Sequence, residues 1–385
     1  LLQPAREDAC SGALSSALGG GCGSGALLRL WTFWASLYVG WGSASPPCCK
    51  QCISPPSHKE HRAHPRILRA PCSALSPLPT ALVSRKRAVG PFVFVDHFGP
   101  TEVTEDTAMD VGPHPHIGIS TLTYLFDGVV LHRDSTGAEQ VIHPGEVNWM
   151  IAGSGVVHSE RGKEALQTLS LDSCPMHGLQ CWVALPKDLE DTPASFHHAS
   201  LGSLPKLGDS LAPSSPEIQT TLVVGSLAGA AVTSVPEPWP MFFLDIVLPR
   251  EGDQVTVPVP KDWEALVYSV SGITNSSNGL VSNTDAAAVY MPPASEEAAL
   301  PSSSSKAMDL HITAVEDATR VAVLGGLPLP EARHMMWNFV SADKNKLNAA
   351  AKAWAALDRE KFPAVVGEPN DDSIPLPPSS APTKR

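Results

Sequence analysis

Between Val111 and Arg161 the chain is cut into short extended segments by turn signals only a few residues apart, which leaves little room for helices. Ser120 to Phe126 is rich in β-branched and aromatic residues and runs into Asp127-Gly128, a pair that favours a tight hairpin. Val129 to His132 reads as the return strand. Ser135-Thr136-Gly137, Pro144-Gly145 and Gly153-Ser154-Gly155 mark three further turns. Short antiparallel strands at this spacing predict a sandwich or a small closed barrel.

Two same-face pairs punctuate that region. His114 and His116 flank Pro115 just ahead of the first strand, and His158 and Glu160 repeat the i, i+2 spacing in PGEVNWMIAGSGVVHSER. Side chains alternate along an extended chain, so each pair points to one side. Pro115 gives no N–H to a ladder, which predicts an edge or a bulged stretch. A single His-x-His is equally at home as two packed or solvated histidines. Three imidazoles and a carboxylate from two strands that can face each other are a donor set for a divalent first-row metal, because neither thiolate nor an all-oxygen shell is offered.

The stretches GPFVFVDHFGP, HPHIGISTLTYLFDG, LHRDS, PGEVNWMIAGSGVVHSER and HGLQCWVALP, from Gly90 to Pro186, resemble the pirin family of the cupin superfamily, and MMWNFVS and the terminal DDSIPLP are similar to its later segments. Many cupins place a Glu a few residues after the His-x-His, where this chain has Ser120 and Thr121; in pirins the carboxylate comes from the second motif, matched here by Glu160. The resemblance implies an all-β chain of two cupin (jelly-roll) barrels in tandem with a C-terminal helix. It implies His114, His116, His158 and Glu160 as ligands of one Fe(II), other divalent transition metals being acceptable. It also implies one of two functions. The first is a dioxygenase similar to quercetin 2,3-dioxygenase, acting with O2 on a small aromatic, flavonol-like substrate, with Glu160 as ligand and catalytic base. The second is a non-enzymatic iron-dependent redox regulator that binds a protein partner.

An internal repeat supports two barrels. LTYLFDG at Leu122 to Gly128 recurs without a gap as LVYSVSG at Leu266 to Gly272, an offset of 144. The same offset carries His114 and His116 onto Pro258 and Pro260, so the second copy is expected to hold no metal. The expected organisation is a low-complexity leader over 1–80, a metal-binding barrel over 81–205, a barrel without ligands over 206–330, and a helix and tail over 331–385.

The leader contains six of the eight cysteines. Its apolar run from Leu27 to Trp41 is interrupted by Arg29 and is too short to span a bilayer; organelle targeting and disorder are both compatible with it. Cys49, Cys52, His61 and His64 mimic a zinc finger, yet the eight residues between the pairs fall short of the usual spacing of about twelve. Beyond Thr80 the chain carries twenty of its 27 Lys and Arg and thirty-six of its 39 Asp and Glu, a net charge of −16, which disfavours direct nucleic-acid binding. Cys174 and Cys181 alone form no disulfide framework, so a reducing cytoplasmic, nuclear or organelle interior is expected, with no membrane association.

Near the C-terminus, Ser341 to Asp343 and the run from Lys344 to Leu357 read as a capped helix with Leu347, Ala351, Trp354 and Leu357 on one stripe. The Pro-rich end from Pro375 is expected to fray. His97, His132, His143 and His177 have no same-face partner two residues away and are expected around the site or on the surface, outside the ligand set. His197 and His198 point to opposite faces if extended. Trp149 and Met150 fit either the pocket wall or the core.

Overall fold

The computed structural model describes residues 88–277, 281–282, 287–290, 308–369 and 372–378. The leader, with its apolar run and its Cys49/Cys52 and His61/His64 pairs, lies outside the described residues.

The first barrel is built from β1 (Phe92–Thr104), β2 (Asp110–His116), β3 (Ile119–Asp127), β4 (Val130–Asp134), β5 (Glu139–Ile142), β6 (Val147–Ile151), β7 (Val156–Arg161), β8 (Ser173–Ala184) and β9 (Ser195–Ala199). Two antiparallel sheets face each other, one in the order β1-β8-β3-β6-β9 and one in the order β2-β7-β4-β5. A short helix, α1 (Gly162–Thr168), follows β7. β3 is buried along its whole length up to Asp127, because both of its faces are covered. Ile119 and Leu125 point into the barrel, against Met150 and Trp182 and against Val130 and Ile142. Leu122, Tyr124 and Phe126 point away from it, into a core shared with the second barrel.

The second barrel contains β10 (Gln219–Leu227), β11 (Ala230–Ala231), β12 (Met241–Leu248), β13 (Gln254–Val259), β14 (Glu264–Ser271), β15 (Thr274–Ser276), β16 (Val281–Ser282), β17 (Ala287–Tyr290), β18 (Met308–Ala314) and β19 (Thr319–Gly326). Its sheets run β11-β10-β12-β19-β14-β17 and β13-β18-β15-β16. The sub-order β1-β8-β3-β6 of the first barrel recurs as β12-β19-β14-β17, and β2-β7-β4-β5 recurs as β13-β18-β15-β16. The repeat read from Leu122 and Leu266 is therefore the repeat of β3 as β14.

The offset of 144 fails by one residue at the histidines. Val111 lies opposite Glu160 and His114 opposite His158, three steps on β2 for two on β7, so β2 holds a one-residue bulge. β13 has none: Val255, Val257 and Val259 pair in step with Ile312, Leu310 and Met308. Pro258 lies opposite the exposed Asp309, on the outer side. By register, His114, His116, His158 and Glu160 correspond to Val257, Val259, Leu310 and Ile312, all fully buried. The positions in register are thus apolar side chains and not the prolines that the offset of 144 indicates.

The two barrels meet across β3 and β12. Tyr124 donates to Asp245 Oδ2 at 2.8 Å, and Arg320 closes on the same carboxylate at 2.8 and 2.6 Å while covering the Phe126 ring. His97 links the barrels as well, with Tyr268 Oη 2.7 Å from its Nδ1 and His177 Nε2 2.7 Å from its Nε2.

After the second barrel the chain returns to the first. A hairpin, β20 (His334–Met336) and β21 (Phe339–Ser341), and α2 (Lys344–Ala355) pack on Ile117 and Val157. The cap of α2 is Asp343, whose Oδ1 accepts from Asn345 N at 2.8 Å; Ser341 instead donates to Glu190. Leu347, Ala351 and Trp354 are buried as expected, but Leu357 is 60% exposed with φ +54, because the helix has already ended at Ala355. Of the segment from Pro375, the described Leu376 packs against the Trp354 cluster, and just before it Ile374 N donates to the Pro113 carbonyl at 2.9 Å.

Candidate metal centre

β2 and β7 are neighbours, so the two same-face pairs come together on the inner side of their sheet. The bulge is what brings His114 and His116 inward from a strand that starts in the opposite phase. The ligand atoms of His114, His116 and His158 all lie within 4.8 Å of one another. His116 Nε2 stands 3.1 Å from His158 Nε2, and the His114 and His158 rings are 4.2 Å apart. Glu160 occupies the same wall but stands outside that tight group, with its Oε1 3.5 Å from Thr123 Oγ1.

The orientation of two rings is fixed by the backbone. His114 Nδ1 lies 2.9 Å from the Gly112 carbonyl and His116 Nδ1 lies 3.1 Å from the Asn338 carbonyl. A carbonyl only accepts, so each Nδ1 carries the proton and each Nε2 presents a lone pair inward. His158 Nδ1 is buried without a hydrogen-bond partner among the described residues. Burial holds all three imidazoles neutral: His114 is pushed down to about 4, and His116 and His158 lie well below the usual histidine range. Burial pushes Glu160 the other way, up to about 7, against the opposing hydrogen bond from Thr123. Buried neutral imidazoles converging on one point, with lone pairs facing, are what a divalent cation requires, so the residues present fit a metal.

The surroundings were only partly visible in the sequence. His132 does have a same-face partner two residues on: its Nε2 lies 3.0 Å from Asp134 Oδ2, and its ring packs on Phe196 and next to His158. Burial alone would raise Asp134, but hydrogen bonds from His132 and Thr136 hold it below the usual carboxylate range. The spacing of His132 and Asp134 matches that of His158 and Glu160 and could have been read. His143 is exposed. His198 reaches Asn148 while His197 turns to Ser195, as opposite faces predict. Met150 lines the inner face, and Trp149 belongs to the core between the barrels. Trp182, edge-on to His116, and Asn338, supplied from the C-terminal hairpin, carried no signal in the local sequence.

The same tail braces the bulge. Glu368 accepts from Ser159 at 2.7 Å and pairs with Arg161, which also pairs with Asp372. A methyl group at Gly112 would collide with the Asp372 carbonyl, so the bulge and the tail touch backbone to backbone. Among the described residues no helix is long and apolar enough to cross a membrane.

Residues 76–183 match the Pirin family and residues 243–360 match the Pirin C-terminal cupin domain. A "Pirin-like protein" of Caulobacter vibrioides is 37% identical over 295 residues, 76% of this chain and 90% of the relative. Two crystal structures described as quercetin 2,3-dioxygenase from Acinetobacter baumannii are also similar. One is 26% identical with a TM-score of 0.64, covering 79% of this chain and 90% of that one; the other is 25% identical with a TM-score of 0.60, covering 72% and 87%. Two barrels in tandem, the motif strands β2 and β7, and a relative matched over nine-tenths of its length make this chain a member of the pirin family, with the two-cupin fold.

Proposed function

We propose that the chain is a mononuclear iron protein acting as an oxidoreductase of the quercetin 2,3-dioxygenase type, opening a flavonol-like substrate with O2. The observation that carries this reading is the buried group of three neutral imidazoles with a proton-accepting carboxyl on the same wall. His114, His116 and His158 would hold the ion through Nε2, with Glu160 as the fourth donor. The likeness to the Acinetobacter baumannii dioxygenase structures supports the reaction class. Iron would supply the redox chemistry and draw a bound hydroxyl towards its deprotonated form. Glu160 takes that proton at its carboxylate. The Gly112 and Asn338 carbonyls keep the two imidazoles aimed, and the aromatic wall of Trp182 and Phe196 excludes water.

The test is anaerobic purification with metal analysis, followed by oxygen uptake with a panel of flavonols. Iron near one per chain with flavonol-dependent uptake is the expected result. Tight iron binding without uptake, joined to capture of a protein partner that depends on the iron oxidation state, would replace this reading with the redox regulator.

A further inference from the structure

The inner face of the five-stranded sheet of the first barrel carries a row of polar side chains, one from each strand. Asp96 lies opposite Gln180, Gln180 opposite Thr123, Thr123 opposite Asn148, and Asn148 opposite His198. Directly paired residues share a face, so all five project to the same side. That side is the one confronting the imidazoles, since Thr123 reaches both Glu160 at 3.5 Å and Gln180 Oε1 at 2.8 Å. Two residues along, the parallel row reads Phe94, Trp182, Thr121, Met150 and Phe196. The Phe94 ring lies tilted by 31° against Trp182, centroids 4.5 Å apart, and Trp182 stands edge-on to His116.

A polar row through the middle of a barrel is unfavourable for folding unless every group is paired. The second barrel shows what the fold itself needs at these positions. In register with Thr123, Gln180 and Asp96 stand Val267, Val323 and Leu244, all fully buried. Three of the five polar positions, those of Asp96, Gln180 and Thr123, are thus aliphatic in the second barrel. The contacts within the row use its donors only in part. Gln180 takes part through Oε1, which accepts from Thr123, and Asn148 through Oδ1, 2.9 Å from His198 Nδ1; the amide nitrogens take no part in either contact. Amides donate hydrogen bonds and exchange no proton at neutral pH, which suits recognition rather than proton conduction.

Resting on the dioxygenase reading, we propose that the Asp96–Gln180–Thr123–Asn148–His198 row is the surface that reads the hydroxyl and oxo groups along one edge of a planar aromatic substrate. The row of Phe94, Trp182 and Phe196 holds the ring system beside it. Gln180 and Asn148 donate, Asp96 accepts, and the row determines specificity.

The experiment measures binding without turnover, using the iron-loaded full chain under nitrogen. The probes are flavone, 3-hydroxyflavone and quercetin, which differ in hydroxylation, and affinity is followed by absorbance titration. Gln180→Met and Asn148→Leu remove the donors; Gln180→Glu and Asn148→Asp keep the shape and replace donor by acceptor, in case the first pair folds poorly. For each variant, quercetin affinity should fall about fivefold while flavone affinity holds or rises, since one lost hydrogen bond is worth about 1 kcal/mol. Equal changes for all three probes, or none, in a chain that binds and consumes quercetin would overturn the row as a specificity determinant and leave the dioxygenase reading standing. Failure of the unmodified protein to bind any probe would overturn both.

Discussion

His116 Nε2 lies 3.1 Å from His158 Nε2. The distance suits one shared proton or one shared cation, and not two protons facing each other. Because the Asn338 carbonyl accepts from His116 Nδ1–H, the His116 Nε2 is an acceptor, and without a metal only His158 can donate across the gap. That arrangement uses the one proton of a neutral His158 at Nε2, which explains why its Nδ1 has no donor role left to fill.

A metal held by both rings would replace that proton. Under the proposed ligation, His116→Ala and His158→Ala should each lower bound iron from about one per chain to a small fraction of that, as metal analysis after dialysis would show. The His114→Ala, His158→Ala double variant should retain essentially none, because Val257, Val259, Leu310 and Ile312 occupy the corresponding wall of the second barrel. Two irons in the unmodified chain, or retention of one in the double variant, would contradict this.

Strand periodicity and turn chemistry made the barrel legible, since His114, His116, His158 and Glu160 sit on strands whose alternation can be counted residue by residue. The bulge could not be counted. It adds one residue between Val111 and His114, reverses the phase of β2, and so misdirected the repeat onto Pro258 and Pro260. Nor could the contribution of Asn338, which is 222 residues from His116 in sequence and acts through its backbone carbonyl, a group every residue carries. Long-range partners of this kind follow from packing of the C-terminal hairpin, not from any local pattern.

Gly118 turns the chain between β2 and β3 with φ +68, and a methyl group there would meet the Val340 carbonyl of the C-terminal hairpin. Gly118→Ala should therefore both strain the turn and push the hairpin away, at about 1 to 3 kcal/mol in urea unfolding. Because that hairpin carries the carbonyl that orients His116, iron affinity should fall alongside stability. Unchanged iron affinity in a destabilised variant would show that the hairpin does not orient the ring.

Glu368 ties the tail to the strand that carries His158 and Glu160. Burial would raise its carboxyl, but Arg161 and Ser159 hold it below the usual carboxylate range. A carboxyl lowered in the folded state binds its proton less readily than in the unfolded chain, so its stabilisation is present above the unfolded value of 4.5 and is lost as pH falls through the folded one. Glu368→Gln leaves the buried Arg161 with a weaker acceptor, Asp372 still pairing with it, and should cost about 1.5 kcal/mol at neutral pH. The gap between parent and variant should close in acid, as urea unfolding at pH 7 and pH 3.5 would test; a gap independent of pH would show that the charge is not what Arg161 recognises.

Glu160 gives the opposite sign. Burial raises its carboxyl to about 7, so in the metal-free protein the folded state holds the proton more tightly than the unfolded chain. That contribution is fully present below 4.5 and is lost as pH rises through about 7. Glu160→Gln mimics the protonated form at every pH. The stability of the metal-free parent relative to Glu160→Gln should therefore fall by about 3 kcal/mol across this window, at about 1.4 kcal/mol per pH unit. With Fe(II) bound the neighbouring positive charge favours the carboxylate and the slope should vanish, since the proton is no longer taken up on folding. The same variant separates the two roles proposed for Glu160. Loss of a general base commonly lowers rate about a hundredfold to ten-thousandfold, so the iron-reloaded variant should show flavonol-dependent oxygen uptake reduced on that order. Unchanged uptake at full iron occupancy would remove Glu160 as the base, and parallel stability curves from pH 4.5 to above 7 would show that its carboxyl is not held protonated by burial at all.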